Sequence, residues 1–218
     1  MFLVSNRGSV QRRLERFRDP MFTYPRRSAP KVRDGKVQRK NRWSPTRNGA
    51  NVQQPQIKRQ RPGWGYRHLV VKEHLRRFIR LIPEWGILSV GLNMLILAKG
   101  SDDALGWYAP GRVALCAWER DIILSETSHR FYWEHQGILQ RLGVPCLELS
   151  DGWQIRFDEN TARAFQLIHV LIHELGHHHD RITTWSKRGP TRGERYAEAY
   201  ARRYEDLLVV RYRNEFGL

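Results

Sequence analysis

The chain has 218 residues, 40% of them hydrophobic, and a formal net charge of +16. That length leaves room for one or two domains, two cysteines cannot build a disulfide scaffold or a cysteine-rich zinc module, and no apolar run approaches the roughly 20 residues of a membrane span. The charge is uneven: residues 1–65 hold 17 Lys and Arg against 3 Asp and Glu, while residues 66–218 hold 21 against 19. Six prolines interrupt the basic stretch, at positions 20, 25, 30, 45, 55 and 62. A segment so poor in apolar residues cannot offset the entropy of ordering, so residues 1–65 are expected to be a disordered basic segment, with a short basic helix at 10–18 as its one candidate element. From Tyr66 the pattern changes, and residues 66–218 read as one folded domain. Apolar spacing predicts a helix from 66 to 81 that ends before Pro83. Residues 86–98 read as one or two strands. Residues 106–109 and 112–118 read as a hairpin around Pro110-Gly111. A helix is expected over 130–142, then short strands at 144–149 and 153–157 flanking Asp151-Gly152. A strong helix follows over 161–180, with Asp158, Asn160 or Thr161 as candidate caps. Residues 181–192 read as a loop containing Gly189 and Pro190, and 194–213 as the last helix. The order of helix, strands and two helices gives an α+β domain. No secretory signal core is legible, and Cys116 and Cys146 sit among apolar neighbours. A cytoplasmic protein with two reduced thiols is expected, with no membrane association.

The segment that carries chemistry is His173-Glu174-Leu175-Gly176-His177. A spacing of four puts both imidazoles on one helix face, one turn apart, where they can bind one Zn²⁺ with bonds of about 2.0–2.1 Å. Glu174 leaves the same turn and can take a proton from a metal-bound water. The other side of the helix is apolar, with Ala164, Phe165, Leu167, Ile168, Leu171 and Leu175, as a helix seated on a core requires. A catalytic zinc needs a third protein ligand and an open fourth position. Glu194 offers the third, 17 residues after His177 across a Gly/Pro loop. Thr191-Arg192-Gly193-Glu194 also matches a capping box, so Glu194 can be read as ligand or as cap. Glu198, one turn on, can accept the second ring N–H of a ligand histidine, or it can be a solvated helix residue.

His169, His173 and His177 form a stripe at successive turns. One metal cannot take all three, because about 12 Å of helix rise separates the outer pair, so His169 is expected to pack or to support a ligand. His178 and His179 point roughly 100° and 200° away from His177. They are expected at the surface or at a second, weak metal site. Asp180 lies three residues after His177 and could steady it. No third histidine stands six residues after His177, since position 183 is Thr, which excludes a metzincin ligand set.

His173-Glu-Leu-Gly-His177 followed by Glu194-x-x-Ala197-Glu198-x-Tyr200-Ala201 resembles the gluzincin metallopeptidases, and within them the small ImmA/IrrE-like proteins. Their second motif carries Asn or Asp, then Phe, where this chain has Glu198 and Tyr200. The resemblance is concentrated in residues 173–201 and extends over about 66–215. It implies a zincin-like α+β domain with a small mixed sheet, one Zn²⁺ per chain held by His173, His177 and Glu194, and Glu174 as general base on a protein or peptide substrate. Gly106-Trp107-Tyr108 followed by Val113 to Cys116 is also placed like the edge strand upstream of the active helix, onto which an extended peptide adds in such enzymes. Tyr196, Tyr200, His178 and Arg181 are candidates for stabilising the oxyanion by proximity in sequence.

A second function class remains open: a nucleic-acid-associated protein whose metal site is structural. The cations of residues 1–65, interleaved with Tyr24, Trp43 and Trp64, could track phosphates and stack on bases. Glu174 separates the two, because a structural zinc site needs no carboxylate beside its first ligand.

Overall fold

The computed structural model describes residues 54–184 and 190–218, together with two short strands, β1 (Val32–Arg33) and β2 (Lys36–Val37), that pair antiparallel. The expectations for the rest of residues 1–53, including the basic helix at 10–18, and for residues 185–189 lie outside the described residues. Among the described residues no helix is long and apolar enough to cross a membrane.

A mixed four-stranded sheet organises the domain. β3 (Gln56–Arg59), β5 (Met94–Ala98) and β7 (Arg112–Cys116) are parallel neighbours, and β6 (Gly106–Ala109) closes one edge antiparallel to β7, in the order β3-β5-β7-β6. Side chains alternate between faces along a strand. Leu95, Leu97, Val113 and Leu115 join the main core, while Ile96, Ala98, Ala114 and Cys116 form a second cluster with Trp107. Burial on both faces is what parallel strands require, and it explains the unbroken Met-Leu-Ile-Leu-Ala run of β5.

Two smaller sheets flank this one. β4 (Tyr66–Arg67) pairs with β8 (Trp118–Glu119), and β9 (Ile123–Thr127) joins the hairpin of β10 (Cys146–Leu149) and β11 (Gly152–Arg156). Helices α1 (Lys72–Ile79), α2 (Trp85–Leu88) and α3 (His129–Arg141) lie between strands. The chain then runs through α4 (Glu159–Phe165), a wide π turn (Gln166–Val170) and α5 (Leu171–Thr184) as one continuous rod, and ends with α6 (Glu194–Phe216). The domain is α+β, as the element order predicts.

Several boundaries differ from the sequence reading. The folded domain begins before residue 66: β3 lies inside the segment assigned to the basic tail, and its Ile57 sits beside Leu95. An edge strand needs only one inward apolar side chain, so a Gln-Ile-Lys-Arg strand carries no strong pattern. The helix expected over 66–81 starts only at Lys72, because Tyr66 and Arg67 are drawn into pairing with Trp118 and Glu119. Within 86–98 only Met94–Ala98 is a strand, because Glu84, at φ +56°, turns the chain into the short helix α2. The 161–180 helix is longer at both ends. Asp158 caps it through the Thr161 amide at 2.7 Å, and the Thr183 and Thr184 hydroxyls bond back to the carbonyls of His179 and Asp180 at 2.7 and 2.5 Å. Neither cysteine forms a disulfide; Cys116 is buried and Cys146 half-buried.

Two glycines set the distances that matter for the site. A Cβ on Gly176 would stand 2.9 Å from Ala197 Cα and 3.1 Å from Tyr200 Cβ, so α5 and α6 cross there at backbone contact. A Cβ on Gly106 would stand 2.8 Å from Val170 Cγ1 and 3.1 Å from Glu174 Cγ, so β6 lies directly against α5.

Candidate metal centre

The close crossing at Gly176 and Ala197 brings the first turn of α6 under the middle of α5. Glu194 opens α6. Gly193 precedes it as N-cap with no side-chain cap, and Thr191 turns to Asp180 at 3.4 Å, so no capping box forms. Glu194 is thereby released toward the histidines. Its two carboxylate oxygens stand 3.1 Å from His173 Nε2 and 3.3 Å from His177 Nε2.

Donor atoms of His173, His177 and Glu194 all lie within 4.8 Å of one another. A tetrahedral zinc with bonds of 2.0–2.1 Å would hold its donors about 3.4 Å apart. Two imidazoles and one carboxylate are the donor types zinc takes, so the residues fit such an ion. Glu198 Oε2 stands 3.3 Å from His173 Nδ1 and accepts the ring N–H there, while Arg202 Nε donates to Glu198 Oε1 at 2.9 Å. Tyr108 of β6 stacks on His177, with ring centroids 6.2 Å apart, and limits its rotation.

The electrostatics follow from this crowding. Burial alone would lower the His173 pKa, but hydrogen bonds to Glu194 and Glu198 outweigh it and push it up to about 10. Burial would likewise raise the two carboxylates; their histidine partners instead hold Glu194 well below the usual carboxylate range and bring Glu198 down to about 2. Glu174, 7% exposed, has its pKa raised by burial, partly offset by His173 and His177. Without metal, His173 thus carries a proton at pH 7.5 that a ligand nitrogen must give up. Zinc binding at that pH should release about one proton from this ring, and affinity should rise as pH climbs toward 10. Calorimetric titration in buffers of different ionisation heat measures the release; a value of zero would mean that His173 is already neutral in the metal-free protein.

A cavity of 410 Å³ opens beside these groups, with His173, Glu174, Glu194 and Glu198 on one wall and Leu105 and Gly106 on another. Arg130, Arg195 and Arg202 also line it, as do the buried His135 and His169. Sequence reading missed His135 and Arg130, since nothing in α3 marks them; only the packing of α3 against α6 brings them in. None of the four oxyanion candidates lines this cavity. Tyr196 bonds His179 at 2.6 Å beneath the Arg192 guanidinium, and Tyr200 stacks on His179. His178 is fully buried, with Nε2 3.0 Å from the Val90 carbonyl, and burial pushes its pKa down to about 4. It is a core histidine, neither a surface group nor a second metal site. Arg181 likewise lies outside the cavity lining.

Asp180 does not touch His177. It is wholly buried and gathers the turn before α6, accepting from the Arg192 amide at 2.6 Å, Arg192 Nε at 2.8 Å and the Gly193 amide at 3.4 Å. It therefore fixes the approach of Glu194.

No family model, no curated protein and no solved structure matches the chain.

Proposed function

We propose that the chain is a zinc-dependent peptidase of the gluzincin type, similar to the ImmA/IrrE-like proteins, on a zincin-like domain. The observation that carries this reading is the convergence of His173, His177 and Glu194 on one point, with Glu174 buried beside them and facing a cavity. The edge strand β6 supports it. Among the described residues β6 pairs only with β7, and Gly106 borders the cavity. An extended peptide adding to that edge would run past Glu174.

Zinc held by these three residues would supply a Lewis acid for the scissile carbonyl and a water acidic enough to ionise near neutral pH. Glu174 accepts the proton of the attacking water and passes it to the departing amine. Its raised pKa suits a base that must also give the proton back. Glu198 keeps the Nδ1 proton on His173, so that Nε2 presents its lone pair to the metal. The Gly106 contact keeps Glu174 pressed between β6 and the ligands.

Zinc per chain by elemental analysis and zinc-dependent cleavage of an unstructured protein substrate test this reading. Glu174→Gln should keep the metal and lower the cleavage rate by about 10²–10⁴-fold, the usual contribution of a positioned general base. A parent chain without zinc after metal-replete purification, or a Glu174→Gln chain as active as the parent, would overturn it.

A further inference from the structure

Three of the rod's histidines and three of the glutamates of α6 interleave into one alternating chain. Successive contacts run His177–Glu194 at 3.3 Å, Glu194–His173 at 3.1 Å, His173–Glu198 at 3.3 Å, Glu198–His169 at 3.6 Å and His169–Glu205 at 2.8 Å. The first three members are the candidate metal ligands and the fourth supports one of them. The last two, His169 and Glu205, have no part in the proposed chemistry. Each is only 3% exposed.

A buried ionisable pair of this kind costs stability relative to apolar residues of the same volume. Its retention therefore asks for a role, and the geometry supplies one. Glu198 Oε2 lies between two imidazoles, His173 Nδ1 on one side and His169 Nε2 on the other. His169 cannot swing away. Its Nδ1 is held by Glu205 Oε1, its ring stacks on Phe165 with centroids 5.3 Å apart, and His135 meets it edge-on at 4.7 Å. Glu205 is anchored in turn by Arg141, 3.5 Å from its other oxygen. His169 leaves the chain within the π turn, a distortion of the kind found at functional sites.

We infer that His169, locked by Glu205, is a positioning residue that fixes the Glu198 carboxylate and, through it, the orientation of the metal-ligating His173 ring. This rests on the metal reading above. The expected size is that of a lost outer partner, about 10–100-fold in metal affinity.

The test is a double-mutant cycle on the full chain, read as zinc affinity by competition with a chromophoric chelator. The proteins are the parent, His169→Phe, Glu198→Ala and the double variant. His169→Phe should weaken zinc by about 10–100-fold and alter the visible absorption of the Co²⁺-loaded protein. In the Glu198→Ala background the same substitution should change affinity by less than about twofold, because its path is already cut. An unchanged affinity in His169→Phe overturns the inference. So does an equal loss in both backgrounds, which would mean that His169 acts by packing alone. If His169→Phe does not fold, Glu205→Gln, which removes the lock's charge and keeps its shape, should weaken zinc by about tenfold; no change there would equally overturn it. A parent that binds no zinc removes the metal reading itself, an outcome distinct from a parent that binds zinc with indifference to His169.

Discussion

Glu194→Ala should purify almost free of zinc, with an affinity loss well beyond the roughly 10–100-fold that a missing outer partner costs. The remaining proposed ligands, His173 and His177, come from one helix face and would approach an ion from one side only. Nothing else on α6 can replace the lost carboxylate, because Glu198 is occupied by His173 and Arg202. The fold should survive. The Glu194 side chain is 55% exposed, so its contacts in the metal-free protein are largely solvent-screened and their loss should cost no more than about 1 kcal/mol. Thermal unfolding with and without zinc separates the two effects: zinc should raise the melting temperature of the parent and leave that of the variant unchanged. An equal zinc shift in both would exclude Glu194 from the ligand set.

Asp180→Ala should damage both stability and metal binding, although Asp180 touches no ligand. Two backbone amides, of Arg192 and Gly193, lose their acceptor, and the Arg192 guanidinium loses its carboxylate partner while keeping Thr183 and the Tyr196 ring. Arg192 is partly exposed and can turn to water, so the cost falls mainly on the amides, about 2–3 kcal/mol together. At about 2–4 °C per kcal/mol for a domain of this size, the melting temperature should fall by about 5–10 °C. Once the turn is loose, Glu194 no longer arrives at a fixed place, and zinc should bind about tenfold more weakly. Calorimetric unfolding and chelator competition on the same preparation measure the pair of effects. A less stable protein with undiminished zinc affinity would show that the turn stabilises the fold without setting the third ligand.

The parts of this site that were legible in the sequence are those fixed by local geometry. A spacing of four on a helix places His173 and His177 together whatever else the chain does. Glu194 and Glu198 follow because a Gly/Pro loop returns the chain and both residues share one side of α6. The hairpin at Pro110-Gly111 is local for the same reason. What escaped depends on distant partners. β3 has a single inward apolar residue and is recognisable only beside β5. Tyr66 and Arg67 read as helix until Trp118 and Glu119 claim them. β9 carries no turn signal of its own and becomes a strand only against β11. Three consecutive histidines at 177–179 look alike in sequence. The Val90 carbonyl makes His178 a core residue, and Tyr196 gives His179 its partner. His135 enters the cavity only because α3 packs across α6.

Every group in the alternating run of imidazoles and carboxylates comes from residues 169–205, and the three proposed ligands from 173–194. The loop that must close to gather those ligands is short, and closure entropy grows only slowly with length. The sheet on which α5 rests draws instead on strands from 56 to 116, with parallel pairings that must wait for distant segments to meet. Folding rate falls as contacts become less local. The helical pair is therefore the part of the molecule able to assemble first, gathering His173, His177 and Glu194 while the strands are still finding their register. In a chain made from its N-terminus, that same pair emerges after the strands. Leu95, Leu97, Val113 and Leu115 stay uncovered until it arrives, so the step that gathers His173, His177 and Glu194 is also the step that closes the core.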